Sequence, residues 1–93
     1  MERTTFNANG FVGRKMIKIK DTSDNVIIEL KVGNSYRIFY NKGNPNNMLI
    51  HVRAIVDKDY IVTKVWKNCK WRYRIEYYYL YQLLARDGML TKA

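Results

Sequence analysis

Cysteine occurs once in this chain, as Cys69, so no intrachain disulfide can form and no Cys-rich zinc site can be assembled. Acidic residues are also scarce, with eight Asp and Glu against 17 Lys and Arg, and the balance leaves a formal charge of +9 and a pI near 9.8. Such a charge favours polyanionic partners, namely DNA, RNA or an acidic protein surface. No apolar run approaches the ~20 residues needed to span a bilayer, and no signal-peptide pattern is present, so a reducing, cytoplasmic setting is expected. An anionic membrane would attract the same charge, but the chain lacks the cationic amphipathic helix that would use it. No metal and no cofactor is implied.

What the chain does have is apolar and aromatic matter. With 47% hydrophobic residues and 14% aromatics, its 93 residues have the composition of one small folded domain rather than a disordered tail. A domain of this size buries only about two-thirds of the surface its unfolded chain exposes, so its stability margin is narrow. A partner, a second copy in a homodimer included, would complete it.

Residues 1–13, with Asn7, Asn9, Gly10 and Gly13 around Phe6 and Phe11, show no regular period and read as a flexible N-terminal arm. Residues 14–93 then form the domain. Two β-branched segments, Met16 to Lys20 and Val26 to Val32, flank the turn formers Asp21 to Asn25 and predict a hairpin. Ser35 to Tyr40 reads as a third strand, and Asn41 to Asn47, with Pro45, as the longest exposed loop. Met48 to Val56, Tyr60 to Trp66 and Trp71 to Ile75 follow as an antiparallel meander, separated by Asp57-Lys58-Asp59 and by Lys67-Asn68-Cys69-Lys70. From Glu76 the spacing becomes helical: Tyr77, Leu80, Tyr81 and Leu84 recur, Arg86 suits the negative end of the dipole, and Gly88 offers a stop. A helix over about 76–87 is predicted.

This order predicts a mainly β fold, a small antiparallel barrel of five to six strands with one C-terminal helix. In strand number and spacing over about residues 30 to 90 the chain resembles SH3-like small barrels, the group that includes KOW and Tudor modules, with an OB-like barrel as the structural alternative. That resemblance implies a binding module rather than an enzyme.

If both turns of the meander close symmetrically, Tyr60 opposes Val56 and Tyr77, and the two-residue period of a strand sets every other pairing. The face carrying Ile50, Val52, Ala54, Val56, Tyr60, Val62, Trp66, Trp71, Tyr73 and Ile75 is then the core, with Lys64 its one charge. Arg53, Thr63 and Arg74 form one row on the opposite, solvent-facing side, and His51, Val65 and Arg72 form the next. Trp66 and Trp71 come to lie side by side.

Residues 64 to 74 interleave five cations with three rings and contain no acid. Cations find phosphates and rings find bases. The candidate contacts are Arg53, Lys67, Lys70, Arg72 and Arg74, together with Tyr78 and Tyr79, since Tyr77, Tyr78, Tyr79 and Tyr81 cannot all face inward on one helix. They fit a small, non-catalytic module gripping nucleic-acid backbone, or a protein-interaction module or inhibitor, in the style of phage and mobile-element proteins, docking on an acidic host-protein surface. Catalysis finds no support in the residue pattern: the expected pairing keeps His51 in mid-strand and Cys69 in a turn, with no third group to complete a nucleophilic arrangement. Asp57 and Asp59 alone lack the six or so oxygens of a hard-cation site. Gly43-Asn44-Pro45 is not a phosphate-binding loop, because no strand-turn-helix unit surrounds it.

Overall fold

The computed structural model describes residues 13–41, 43, 45–56 and 60–93. The expected arm, apart from Gly13, and the Asp57-Lys58-Asp59 turn lie outside them. In chain order the elements are β1 (Gly13–Arg14), β2 (Met16–Lys20), β3 (Val26–Lys31), β4 (Ser35–Phe39), β5 (Asn47–Val56), β6 (Tyr60–Lys67), β7 (Lys70–Tyr77), α1 (Tyr78–Arg86) and β8 (Leu90–Lys92). The fold is mainly β, with one short helix. The larger sheet runs β7-β6-β5-β4-β8, with β1 beside the end of β5, while β2 and β3 form a separate hairpin. All pairings are antiparallel. Among the described residues neither sheet closes on itself, so the expected closed barrel is not seen there, and the principal extents are 49 × 39 × 17 Å.

One face of the larger sheet is covered by the β2–β3 hairpin and α1. Ile17, Ile19 and Leu30 from the hairpin and Tyr81 and Ala85 from the helix meet Tyr36, Met48, Ile50, Val52, Ile55, Ile61, Val65 and Leu90 from the sheet. Tyr36 fastens the two layers together. It is fully buried, and its hydroxyl donates to the Glu29 carbonyl at 2.7 Å and accepts from the Lys31 amide at 2.8 Å. Both ends of that polar bridge are satisfied, so the ring is buried without a desolvation penalty.

The hairpin forms where Asp21 to Asn25 predicts a turn. The Asp21 carboxylate accepts from the amides of Ser23 and Asn25 at 2.8 and 3.0 Å, an Asx arrangement that lets Asp24 adopt a positive φ of 67°. Those amides, Asn25 foremost, hold the Asp21 carboxyl below its ordinary pKa. At the far end of the sheet Asn68 and Cys69 both take positive φ, 54° and 61°, and Lys67 pairs directly with Lys70. This is a two-residue hairpin turn rather than the expected four-residue one, and its twist suits the strands it joins.

The helix spans nearly the expected residues. Tyr77 precedes it with no side-chain cap, and no acid stands in its first turn, so packing of Tyr81 and Ala85 carries it. Its end is well made: Gly88, at φ 74°, donates to the Ala85 carbonyl at 3.1 Å, and the Met89 amide reaches the Leu84 carbonyl at 2.8 Å. The chain then turns into β8, an element too short to show a period in the sequence, and Leu90 joins the core.

The expected core register holds for half of the meander and fails for the rest. Tyr60 does pair with Val56 and with Tyr77, and Val62 with Ala54. Between Ala54 and Val52, however, Arg53 is an extra residue with no partner on β6, so Thr63 faces Val52 and Val65 faces Ile50. One bulged residue moves every later side chain on β6 and β7 to the other face. The core therefore takes Ile61, Thr63 and Val65, while Val62 is half-buried and Tyr60, Trp66, Trp71, Tyr73 and Ile75 are exposed. Tyr77, expected on the helix, closes β7 and is also exposed.

Candidate nucleic-acid interface on the uncovered sheet face

On the face opposite the core, the alternation of β4 to β7 brings up Ser35 and Arg37, Leu49 and His51, Val62, Lys64 and Trp66, and Trp71, Tyr73, Ile75 and Tyr77. Nothing among the described residues packs over β7. Trp71 is 47% exposed, Tyr73 64% and Ile75 66%, although all three belong to residue types that seek an interior. Exposed apolar residues usually stand singly, and here they adjoin one another on one face.

The rings are already arranged. Trp66 meets Trp71 edge to face, with centroids 5.2 Å apart and planes at 64°. His51 also lies beside Trp71, with ring centroids 5.3 Å apart, its Nδ1 sharing a hydrogen bond with Ser35 Oγ that fixes the imidazole on the sheet. Lys64 Nζ sits 4.9 Å from the Trp71 centroid, a cation over a ring face. Further along, Tyr60 and Tyr77 stack at 5.0 Å. Trp71, Tyr73 and Tyr77 occupy positions of one pleated face, so consecutive same-face side chains stand about 6.8 Å apart along β7. The unbulged register would run the Lys64 stem from the core to a rim, whereas the bulge places it on the uncovered face, half-buried beside its ring.

The predicted cations distribute around this surface. Lys67 and Lys70 face each other across the β6–β7 turn, next to the tryptophan pair, and are exposed. Arg72 and Arg74 point to the other side of the sheet, beyond the reach of the covering layer. With Lys67, Asn68, Met48, Val65 and Tyr73 they line a groove of about 370 Å³ at the free end of the ribbon. Arg74 is bound there to Glu76 at 2.6 Å and reaches the Met48 sulfur at 3.7 Å, whereas Arg72 has no ion-pair partner among the described residues. Arg53 is exposed at the bulge, away from this groove. The expected rows are corrected accordingly: Arg74 stands beside buried Thr63 and Arg72 beside buried Val65, with Val52 and Ile50 completing the rows.

Tyr78 and Tyr79 separate. Tyr78 is half-buried against the core and lines another groove, of about 390 Å³, with Arg14, Lys18 and Lys20, while Tyr79 is 61% exposed on the helix. Neither joins the tryptophan cluster. The sequence pattern places Trp66, Trp71 and Tyr73 on the core face, with base stacking on one exposed Tyr or Trp as the alternative, whereas all three are exposed. A signal was available in Lys64, the one charge on the face assigned to the interior.

Among the described residues no group of His, Cys, Asp and Glu could hold a metal ion, and no helix is long and apolar enough to cross a membrane. Comparison with known proteins finds no matching family model, no matching curated protein and no matching solved structure.

Proposed function

We propose that this protein is a small, non-catalytic binding module for single-stranded nucleic acid, DNA or RNA. Bases stack on Trp66, Trp71 and Tyr73, and Lys64, Lys67 and Lys70 meet the backbone. The observation that carries this reading is the Trp66–Trp71–His51 cluster with Lys64 over its central ring, exposed on an uncovered sheet face of a chain with net charge +9. A sheet that offers rings to splayed bases suits single strands, whose bases have free faces, better than a duplex, whose bases are already stacked. Arg72 and Arg74 line the groove on the reverse side of β7, beside Lys67, which gives the backbone of a longer strand a second cationic track.

Fluorescence-anisotropy titration with single-stranded and duplex oligonucleotides at several salt concentrations tests this. Single strands should bind more tightly, and Trp71→Ala should weaken them by about tenfold or more, since a stacked base is worth about 1–3 kcal/mol. Replacing Arg72 and Arg74 together by Ala should leave the fold intact and reduce the magnitude of the salt slope by about two if each arginine holds one phosphate. Weak, unsaturable binding to both nucleic acids would overturn the proposal and favour docking on an acidic protein.

A further inference from the structure

β7 is an edge strand of unusual completeness. Among the described residues it is hydrogen-bonded to β6 on one side only, over eight residues without a register shift. It contains no proline, glycine or bulge, and seven of its eight residues are exposed. Such an edge offers a free row of backbone donors and acceptors; of the devices that usually blunt one, β7 lacks proline, a bulge and shortness, and has only charge, in Lys70, Arg72, Arg74 and Glu76. The opposite edge, β8, is only three residues long.

The sequence of this edge is complementary to its own reverse. Two β7 strands laid antiparallel and centred on Arg74 set Trp71 against Tyr77 of the second copy, Arg72 against its Glu76, and Tyr73 against its Ile75, each pairing occurring twice by symmetry. Arg74 meets Arg74 on the axis, where each is already held by its own Glu76 at 2.6 Å. Neighbouring registers do worse: centring on Tyr73 sets Arg72 against Arg74 twice, and centring on Ile75, although it opposes Arg74 to Glu76 and Tyr73 to Tyr77, shortens the paired strand and carries Arg72 past the end of β7 to Tyr78, where α1 begins, so that Arg72 gains no partner. Charge and ring pairing thus select one register. We propose that β7 is the interface of a homodimer in which two copies join edge to edge through this register, making one sheet that continues across both.

A two-fold axis perpendicular to the sheet keeps both uncovered faces on the same side. The two sets of Trp66, Trp71 and Tyr73 then form a single surface that passes from one copy to the other. Arg72, which has no ion-pair partner among the described residues of the single chain, gains one.

Sedimentation velocity of the full chain, free of nucleic acid, across a dilution series from micromolar to millimolar tests the interface apart from the ligand. The expected result is a reversible dimer. Arg72→Glu places a carboxylate beside Arg74 within the chain but opposes it to Glu76 of the second copy, and should raise the dissociation constant by about tenfold. The charge exchange Arg72→Glu with Glu76→Arg should restore the dimer, since the opposition is favourable again. Amide exchange should show alternate β7 amides gaining protection with concentration. A monomer at every concentration, a dimer indifferent to Arg72→Glu, or a weakened dimer that the exchange does not restore would each overturn the proposal, circular dichroism having established that the variants fold.

Discussion

The two faces of the larger sheet are both apolar, yet only one of them is an interior. The covered face is built from Ile50, Val52, Ile55, Ile61 and Val65, branched aliphatic side chains with Tyr36 and Met48 among them, packed beneath the hairpin and α1. Across the same strands the uncovered face carries Trp66, Trp71, Tyr73, Ile75 and Tyr77, larger in area but accompanied by Lys64, His51 and Arg37. Hydrophobicity alone does not separate these faces. Beneath the hairpin and α1 what separates them is polar company: a packed interior excludes an ammonium group, whereas the uncovered face holds that of Lys64 against a ring.

The sharpest way to break that comparison is to make the same substitution on each side. Ile50 is 1% exposed and Ile75 is 66% exposed. Ile50→Ala should destabilise by about 3 kcal/mol, from lost burial and the cavity left behind. Ile75→Ala should shift stability by about 0.5 kcal/mol or less in dilute protein. Urea denaturation of both variants measures the difference. Equal costs would mean that the uncovered face is packed in solution.

Much of the fold was legible in the sequence because its punctuation is strong. Asp21 to Asn25, Asn68-Cys69 and Gly88 each mark a chain reversal by local chemistry, and the strands between them fall within a residue or two of where the alternation puts them. The helix was legible for the same reason, although its three consecutive tyrosines favour strand, and the first of them, Tyr77, does end β7. The facing of β6 and β7 was not legible. It depends on one bulged residue, Arg53, and with apolar side chains on both faces a flipped strand shows no conflict in its pattern except at Lys64. The site inherited that error, so the cations were recognised while the rings beside them were assigned to the core. Open against closed architecture was also hidden, since strand number and spacing are the same for a small barrel and for the open sheets seen here.

A second, smaller test concerns a hydroxyl on the covered face that, unlike that of Tyr36, has no hydrogen-bond partner among the described residues. Thr63 is fully buried, and its Oγ1 lies near the Tyr81 hydroxyl without the geometry of a hydrogen bond. Valine has nearly the same shape and no oxygen to desolvate. Thr63→Val should therefore stabilise the protein by about 1 kcal/mol, seen as a rise in melting temperature of a few degrees. A fall would show that the hydroxyl is bonded in solution and that this row of the covered face is polar by design.

The smallest effect is confined to alkaline pH and again distinguishes the covered face from the uncovered one. Burial raises the pKa of Tyr81 above the ordinary value of 10.0, with a nearby Glu76 charge acting in the same direction and Thr63 and Arg74 opposing it. Tyr73, by contrast, stands in the open on the uncovered face. Between pH 10 and the raised value the folded chain keeps a proton that the unfolded chain has lost, so stability is undiminished below pH 10 and falls as pH rises through that window. Tyr81→Phe removes the titrating group while keeping the ring. Its urea midpoint should decline less than that of the parent between about pH 8 and about pH 11, the effects of lysines and of the other tyrosines being common to both chains. Identical declines would place the Tyr81 hydroxyl in contact with water and show that α1 covers the sheet less tightly than its packing requires.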